Sequence, residues 1–184
     1  MRGGLLLATL LAFLPAVTLA QTHSGNIVPF AKDGVQGVYV FESSGARLYG
    51  RFVSDASIGV WEDHGRPPLR RQEAFYGSVG QPAILSYATM LLFGSSQPRL
   101  QVFVVRNGAL YSRYWDGSAW SWLSYGAPPM RSLFSEAPAV VTHLEADGLT
   151  RRIVAYCRDT DGELHKMSHT SSQTTWTFLG HPPL

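Results

Sequence analysis

The chain has 184 residues, with 15 Lys and Arg against 13 Asp and Glu, and a net charge of +2 that leaves no electrostatic footprint for nucleic acid. Hydrophobic residues make up 45% and charged residues 15%, enough for a buried core and too apolar for a disordered or collagen-like chain. The 18 Gly, 11 Pro, 5 Trp, 8 Tyr and 9 Phe favour short strands joined by tight turns over a helix bundle.

Residues 1–20 read as a secretory signal peptide: Arg2 supplies the positive start, Leu5 to Val17 is almost wholly apolar, and Thr18-Leu19-Ala20 offers a small-residue cleavage site. Pro15 interrupts the apolar run, which falls short of the roughly 20 residues that span a bilayer. The mature chain, residues 21–184, is therefore expected to be secreted and extracellular, with no membrane span. Cys157 is the single cysteine, so an intramolecular disulfide is excluded and the core must carry the stability. Within Ile153-Val154-Ala155-Tyr156-Cys157 it reads as a buried apolar side chain rather than a reactive thiol. Neither Asn26 nor Asn107 has Ser or Thr two positions on, so N-glycosylation is not expected.

From residue 26 onward one unit recurs three times. The first runs through Ile27-Val28-Pro29-Phe30, Val38-Tyr39-Val40-Phe41 and Gly45-Ala46-Arg47-Leu48-Tyr49 to Trp61-Glu62-Asp63-His64-Gly65-Arg66-Pro67-Pro68-Leu69. The second runs through Pro82-Ala83-Ile84-Leu85, Val102-Phe103-Val104-Val105 and Gly108-Ala109-Leu110-Tyr111 to Trp122-Leu123-Ser124-Tyr125-Gly126-Ala127-Pro128-Pro129-Met130. The third runs through Pro138-Ala139-Val140-Val141, Ile153-Val154-Ala155-Tyr156 and Gly162-Glu163-Leu164-His165 to Trp176-Thr177-Phe178-Leu179-Gly180-His181-Pro182-Pro183-Leu184. All three endings fit W-x3-G-x-P-P-[LM]. Successive tryptophans lie 61 and 54 residues apart, longer than most helical solenoid repeats and close to a propeller blade.

Each unit holds four apolar strand cores separated by turn residues. Asn107-Gly108 and Asp161-Gly162 are hairpin signals, because these pairs tolerate the positive φ of tight turns. The expected fold is all-β and propeller-like, with three four-stranded antiparallel blades at about 26–69, 81–130 and 137–184. A sandwich or simple barrel is the competing architecture, but neither needs a recurring Trp to Pro-Pro ending. Trp61, Trp122 and Trp176 hold equivalent positions and are expected in the core.

The second unit carries a further likeness. Arg99-Leu100-Gln101-Val102-Phe103-Val104-Val105, Gly108-Ala109-Leu110-Tyr111-Ser112-Arg113-Tyr114-Trp115-Asp116-Gly117 and Trp120-Ser121-Trp122 through Gly126 resemble a blade of the Photorhabdus-type propeller lectins. Such blades read approximately R-L-D-V-F-V-R, N-A-L-W-H-R-W-W-D-G and W-S-x-W-x-x-L-G. The third unit shares the frame and the first is the most diverged. That family and the related Aleuria-type fucose lectins bind fucosylated glycans between adjacent blades without catalysis. The resemblance thus implies a carbohydrate-binding protein whose partners are glycans or glycoproteins. Aleuria-type pockets use an Arg opening the second strand, a Glu on the third and an aromatic ring. Arg99 and Arg151 match the first, while Ser112 and Lys166 stand in the acidic place, which puts fucose specificity in question.

Trp115 and Trp120 do not recur between units and are therefore the stacking candidates, with Tyr111 and Arg113 beside them. No cofactor and no metal is expected. His165 and His169 have metal spacing only on a helix, since on a strand four residues span about 13 Å. Asp159-x-Asp161-Gly162 lacks the remaining ligands of a calcium loop and reads as a hairpin turn. Asp116-Gly117-Ser118-Ala119-Trp120 is similar to the Asp-box, a structural turn of propeller blades. No nucleophile elbow is present, so an enzyme is not expected. A secreted protein-interaction module without sugar binding is the alternative function. Closed propellers have four to eight blades, so three units suggest a homo-oligomer, most simply a head-to-tail dimer of six.

Overall fold

The computed structural model describes residues 21–23, 26–68, 78–90, 96–134 and 136–181. The signal-peptide segment 1–20, Leu69, and Pro182 to Leu184 of the last repeat ending lie outside the described residues. Among the described residues all regular structure is β, and no helix is long and apolar enough to cross a membrane.

The strands are β1 (Gln21–His23), β2 (Ile27–Lys32), β3 (Val35–Ser44), β4 (Arg47–Ser54), β5 (Ser57–Ile58), β6 (Glu62–Gly65), β7 (Ala83–Met90), β8 (Ser96–Arg106), β9 (Ala109–Trp115), β10 (Trp120–Gly126), β11 (Ala139–Leu144), β12 (Arg151–Arg158), β13 (Leu164–His169) and β14 (Thr174–Gly180). They form three antiparallel meanders in chain order, β2 to β6, β7 to β10 and β11 to β14. The four-stranded expectation needs two amendments. In the first sheet the fourth position is divided between β5 and β6, both paired with β4. In the second, β1 adds a fifth strand beside β7, with Thr22 opposite Leu85.

The turns follow the chemistry of their residues. Asn107 and Gly108 have φ of 48° and 73° and join β8 to β9, as the Asn-Gly pair predicts. Asp33 and Gly34 do the same for β2 and β3. Asp116 Oδ1 accepts hydrogen bonds from the backbone N–H groups of Ser118 and Ala119, each at 2.8 Å, so the Asp-box is a turn. Those donors hold its carboxyl down at about 2.

Two apolar cores lie between the sheets. Val28, Phe30, Tyr39, Phe41 and Leu48 of the first sheet meet Ile84, Leu100, Val102, Val104 and Tyr111 of the second. Strand alternation sends Ala83, Leu85, Phe103, Val105 and Leu110 to the other face, where they meet Val140, Ile153, Ala155, Cys157 and Met167 of the third. Cys157 is buried, and burial pushes its thiol up to about 12, which keeps it a protonated apolar filler.

The repeated ending has a structural cause. In all three sheets the residue before the glycine is an extra residue in the last strand. Leu48 pairs with Gly65 and Tyr49 with Asp63, skipping His64. Leu110 pairs with Gly126 and Tyr111 with Ser124, skipping Tyr125. Leu164 pairs with Gly180 and His165 with Phe178, skipping Leu179. These are β-bulges, and their glycines take φ of 80°, 76° and 86°, which a side chain would oppose.

The bulge serves the next sheet. Trp122 Nε1 donates to the carbonyl of His64 at 3.2 Å, and Trp176 Nε1 donates to the carbonyl of Tyr125 at 3.0 Å. Trp122 and Trp176 thus each cap the bulge of the sheet before them. The linkers repeat the arrangement: Val79 N–H donates to Gly45 O at 2.7 Å and Leu133 N–H to Gly108 O at 2.8 Å. Trp122 and Trp176 are half-buried in these joints. Trp61, also expected in the core, is 40% exposed, because its face of the first sheet has no sheet packed on it among the described residues.

Candidate functional site

Each joint leaves a cleft beside its core. The first, between sheets one and two, has a volume of about 210 Å³ and is lined by Phe30, Lys32, Tyr39, Glu62, Trp115 and Trp120. Lys32 closes β2 and Glu62 opens β6, so antiparallel pairing through β3 and β4 carries two distant residues to one rim. Lys32 Nζ lies 2.9 Å from Glu62 Oε1, and the Tyr39 hydroxyl donates to Glu62 Oε2 at 3.2 Å. The hydrogen bond to Glu62 raises the Lys32 ammonium above its ordinary value, and burial raises the Tyr39 phenol. Both charges of the pair are about 40% exposed, so they remain open to a ligand.

The second sheet supplies the aromatic wall. Trp115 ends β9 and Trp120 begins β10, paired across the Asp116 turn. Their rings are 5.6 Å apart at 47°, and Trp120 stands edge-on to Tyr39 at 6.3 Å. An apolar wall faces an adjacent donor and acceptor, as needed by a ligand with one apolar face and a hydroxylated edge.

The second cleft, between sheets two and three, is larger at about 430 Å³. Tyr87, Gln101, Tyr114 and Tyr125 come from one side, and Arg151, Ile153 and His169 from the other. The Arg151 guanidinium sits 4.5 Å over the Tyr87 ring, and burial lowers its pKa. Gln101 Nε2 donates to Ser112 Oγ at 2.8 Å and to the Tyr125 hydroxyl, while Gln101 Oε1, in a side chain only 1% exposed, has no hydrogen-bond partner among the described residues. Burial pushes the Tyr125 phenol up to about 12, so it stays a neutral donor and acceptor.

The sequence candidates therefore divide. Trp115 and Trp120 come together in the first cleft and Arg151 lies in the second. Arg99 opposes Tyr87 across β8 and β7 but lines neither cleft. Tyr111 is 1% exposed inside the first core, which removes it as a stacking surface. Arg113 packs over Trp122 at 5.5 Å and belongs to the joint. Ser112, in the expected acidic place, is fully buried against Gln101 and Tyr125.

Sequence reasoning missed Lys32 and Glu62, because neither repeats and they stand 30 positions apart. Strand alternation was the available signal, since Lys32, Phe30 and Val28 fall on one face of β2.

One acidic cluster lies elsewhere. Asp159, Glu163 and His165 each place a potential ligand atom within 4.8 Å of the others. The Arg131 guanidinium already pairs with Glu163 at 3.2 Å and with Asp161, and His165 Nε2 bonds Asp159 at 2.9 Å. Although burial opposes ionisation, the hydrogen bond to His165 and the backbone N–H groups of Glu163 and Asp161 hold Asp159 below the usual carboxylate range. The cluster ties the Arg131 linker to the turn between β12 and β13.

No protein-family profile matches the sequence, and no curated protein matches it. Among solved structures, the chain is similar to a fucose lectin from Kordia zhangzhouensis in complex with methyl-fucoside, at 15% identity and a TM-score of 0.49, over 82% of this chain and 96% of that one.

Proposed function

We propose that the mature protein is a secreted, non-catalytic, lectin-like protein that binds carbohydrate in the clefts between its sheets. The observation that carries this reading is the first cleft, where Trp115 and Trp120 stand opposite the exposed Lys32–Glu62 pair. A sugar ring offers an apolar C–H face to an indole and vicinal hydroxyls to a carboxylate and an ammonium. Glu62 accepts from one hydroxyl and Lys32 donates to its neighbour. In the second cleft Arg151 and the buried Gln101 oxygen supply the same donor and acceptor roles beside Tyr87. Fucose is the first sugar to test, with Glu62 acting from the earlier sheet where the sequence showed no acid on the third strand. Secretion with removal of residues 1–20 is part of the proposal.

A glycan array with folded protein is the deciding experiment. Binding to a defined sugar class is expected, with fucosylated glycans among those bound. Trp115→Ala and Glu62→Gln should each weaken binding by about 1 to 3 kcal/mol while circular dichroism stays unchanged. A folded sample giving no signal on the array sinks the lectin reading in favour of a protein-interaction module.

A further inference from the structure

The two clefts differ in the charge on their walls. In the first, Lys32 and Glu62 pair at 2.9 Å and cancel. In the second, the described lining residues include the Arg151 guanidinium and the His169 imidazole and no carboxylate. Arg151 opens β12 and Tyr87 lies on β7, so their stack at 4.5 Å joins the two sides of the cleft. Arg99 is in register with Tyr87 and shares a face of β8 with Gln101, two residues on. Burial raises the Tyr87 phenol, while Arg151 and Arg99 both pull it down, so two positive charges bear on this wall.

The carboxylates that the chain places next to these residues in sequence are engaged elsewhere. Asp147 accepts from the backbone N–H groups of Leu149 and Thr150 and from the Thr150 hydroxyl. Glu145 bonds Arg152, which strand alternation turns to the face of β12 opposite Arg151. The cleft also holds an acceptor that needs a donor. Gln101 is 1% exposed, its amide nitrogen donates to Ser112 and Tyr125, and its Oε1 has no hydrogen-bond partner among the described residues. A ligand that satisfies both sides carries a negative charge for Arg151 and a hydroxyl or N–H for Gln101. A guanidinium stacked on a ring keeps its N–H fork in one plane, which suits the paired oxygens of a carboxylate or sulfate. The volume of about 430 Å³ lies within the range of small-ligand sites and leaves room for such a group beside a sugar ring.

We infer that the second cleft takes an acidic saccharide, its carboxylate or sulfate on Arg151 and a hydroxyl or amide N–H on Gln101 Oε1, while the first cleft takes neutral sugar. The inference rests on the reading that the clefts bind carbohydrate, and it divides the ligands between them. Burial of the guanidinium, which lowers its pKa, increases what a bound anion contributes, because a partly desolvated cation has lost water that the anion replaces. His169 is lowered by burial as well, so Arg151 is the charge on the lining at neutral pH.

Galactose, galactose 6-sulfate and galacturonic acid share one scaffold and differ at C6, so NMR titration of the folded chain with the three tests the assignment. At least one acid should bind on the order of 10- to 100-fold tighter than galactose, and the margin should shrink as salt is raised. Whether sulfate or carboxylate leads identifies the anion. Arg151→Gln should erase the margin with circular dichroism unchanged. Arg151→Lys, which keeps the charge and loses the planar fork, should retain a smaller, salt-sensitive margin. Galactose bound as well as both acids overturns the inference and leaves the lectin reading standing. A margin that both Arg151 variants leave intact overturns it too, since the charge then acts from elsewhere. If neither acid binds, the inference falls; the lectin reading survives that result where the glycan array reports neutral sugars, and falls with it where the array is silent.

Discussion

The two inter-sheet joints share a frame and differ in what fills it. Both use an indole N–H on a bulge carbonyl and a linker N–H on a turn-glycine carbonyl. Beside that frame, the first joint places a histidine at the bulge and the second a tyrosine. The first cleft is small, walled by two indoles and rimmed by an ion pair; the second is twice the volume and holds a neutral amide and hydroxyl network. The frame fixes how sheets stack, and the residues that fill it are free to set stability and ligand chemistry separately in each joint.

The largest expected difference is in acid. His64 is 4% exposed between Phe41 and Trp120, with ring centroids 5.3 and 4.6 Å away. Burial pulls its pKa down to about 4; Glu62 and Asp63 raise it, while Arg113 and Lys32 lower it further. An unfolded imidazole titrates near 6.5. Above that pH neither state carries the proton, and stability is unaffected. Between about 6.5 and 4 the unfolded chain takes up a proton that the folded chain refuses, so stability falls, by about 3 kcal/mol once pH 4 is reached. His169 in the second joint is lowered in the same direction but is more open. Asp159, whose pKa is depressed, contributes stability that persists until the pH falls below the ordinary carboxylate value. Hydrogen exchange from pH 7 to 4.5 should therefore show the first joint loosening before the second, and His64→Leu should flatten the response. Equal loosening of both joints would remove the comparison.

The tryptophans give the next effect. Trp122→Phe and Trp176→Phe each remove one indole hydrogen bond to a bulge carbonyl while keeping most of the ring, at about 1 kcal/mol each. Urea denaturation should return nearly the same figure for both, because the frame is shared. A large inequality would show that the cleft residues, rather than the frame, hold one of the joints.

Much of this frame was legible in the sequence because it repeats. The tryptophans, the bulge glycines and the turn glycines recur at matching places, and recurrence of so many specified positions singles out a stacking unit. The repeat could not show that Trp61 meets no sheet among the described residues, since its place in the W-x3-G-x-P-P ending is that of Trp122 and Trp176. Lining residues were legible only in part. Trp115 and Trp120 stood out because they do not recur and flank a turn. Tyr111 lies on the same face of β9 as Trp115 yet is core, because it sits four residues earlier, packed in the cluster of Phe41 and Leu48, while Trp115 ends the strand at the cleft. Lys32 and Glu62 meet only through the registers of three strand pairs, information that a linear pattern does not carry.

The smallest effect tests the neutral network. Tyr125, at the bulge position of His64, has a hydroxyl that accepts from Gln101 Nε2 and lies 3.1 Å from Ser112 Oγ. Tyr125→Phe removes that hydroxyl but leaves the ring stacked at 5.7 Å on Phe103 and edge-on to His169 at 5.0 Å. Gln101 keeps its bond to Ser112, and because Gln101 and Tyr125 both line the second cleft, water entering where the hydroxyl stood is expected to take the freed amide hydrogen. The cost should be about 0.5 kcal/mol, below the usual penalty for orphaning a buried donor. Because Tyr125 titrates only near 12, the loss should be the same at pH 7 and pH 5, in contrast to the pH-dependent loss at His64. Urea denaturation of Tyr125→Phe at the two pH values checks this. A cost above about 2 kcal/mol would mean that the second cleft is dry, and that its polar network clamps the joint instead of standing ready for a ligand.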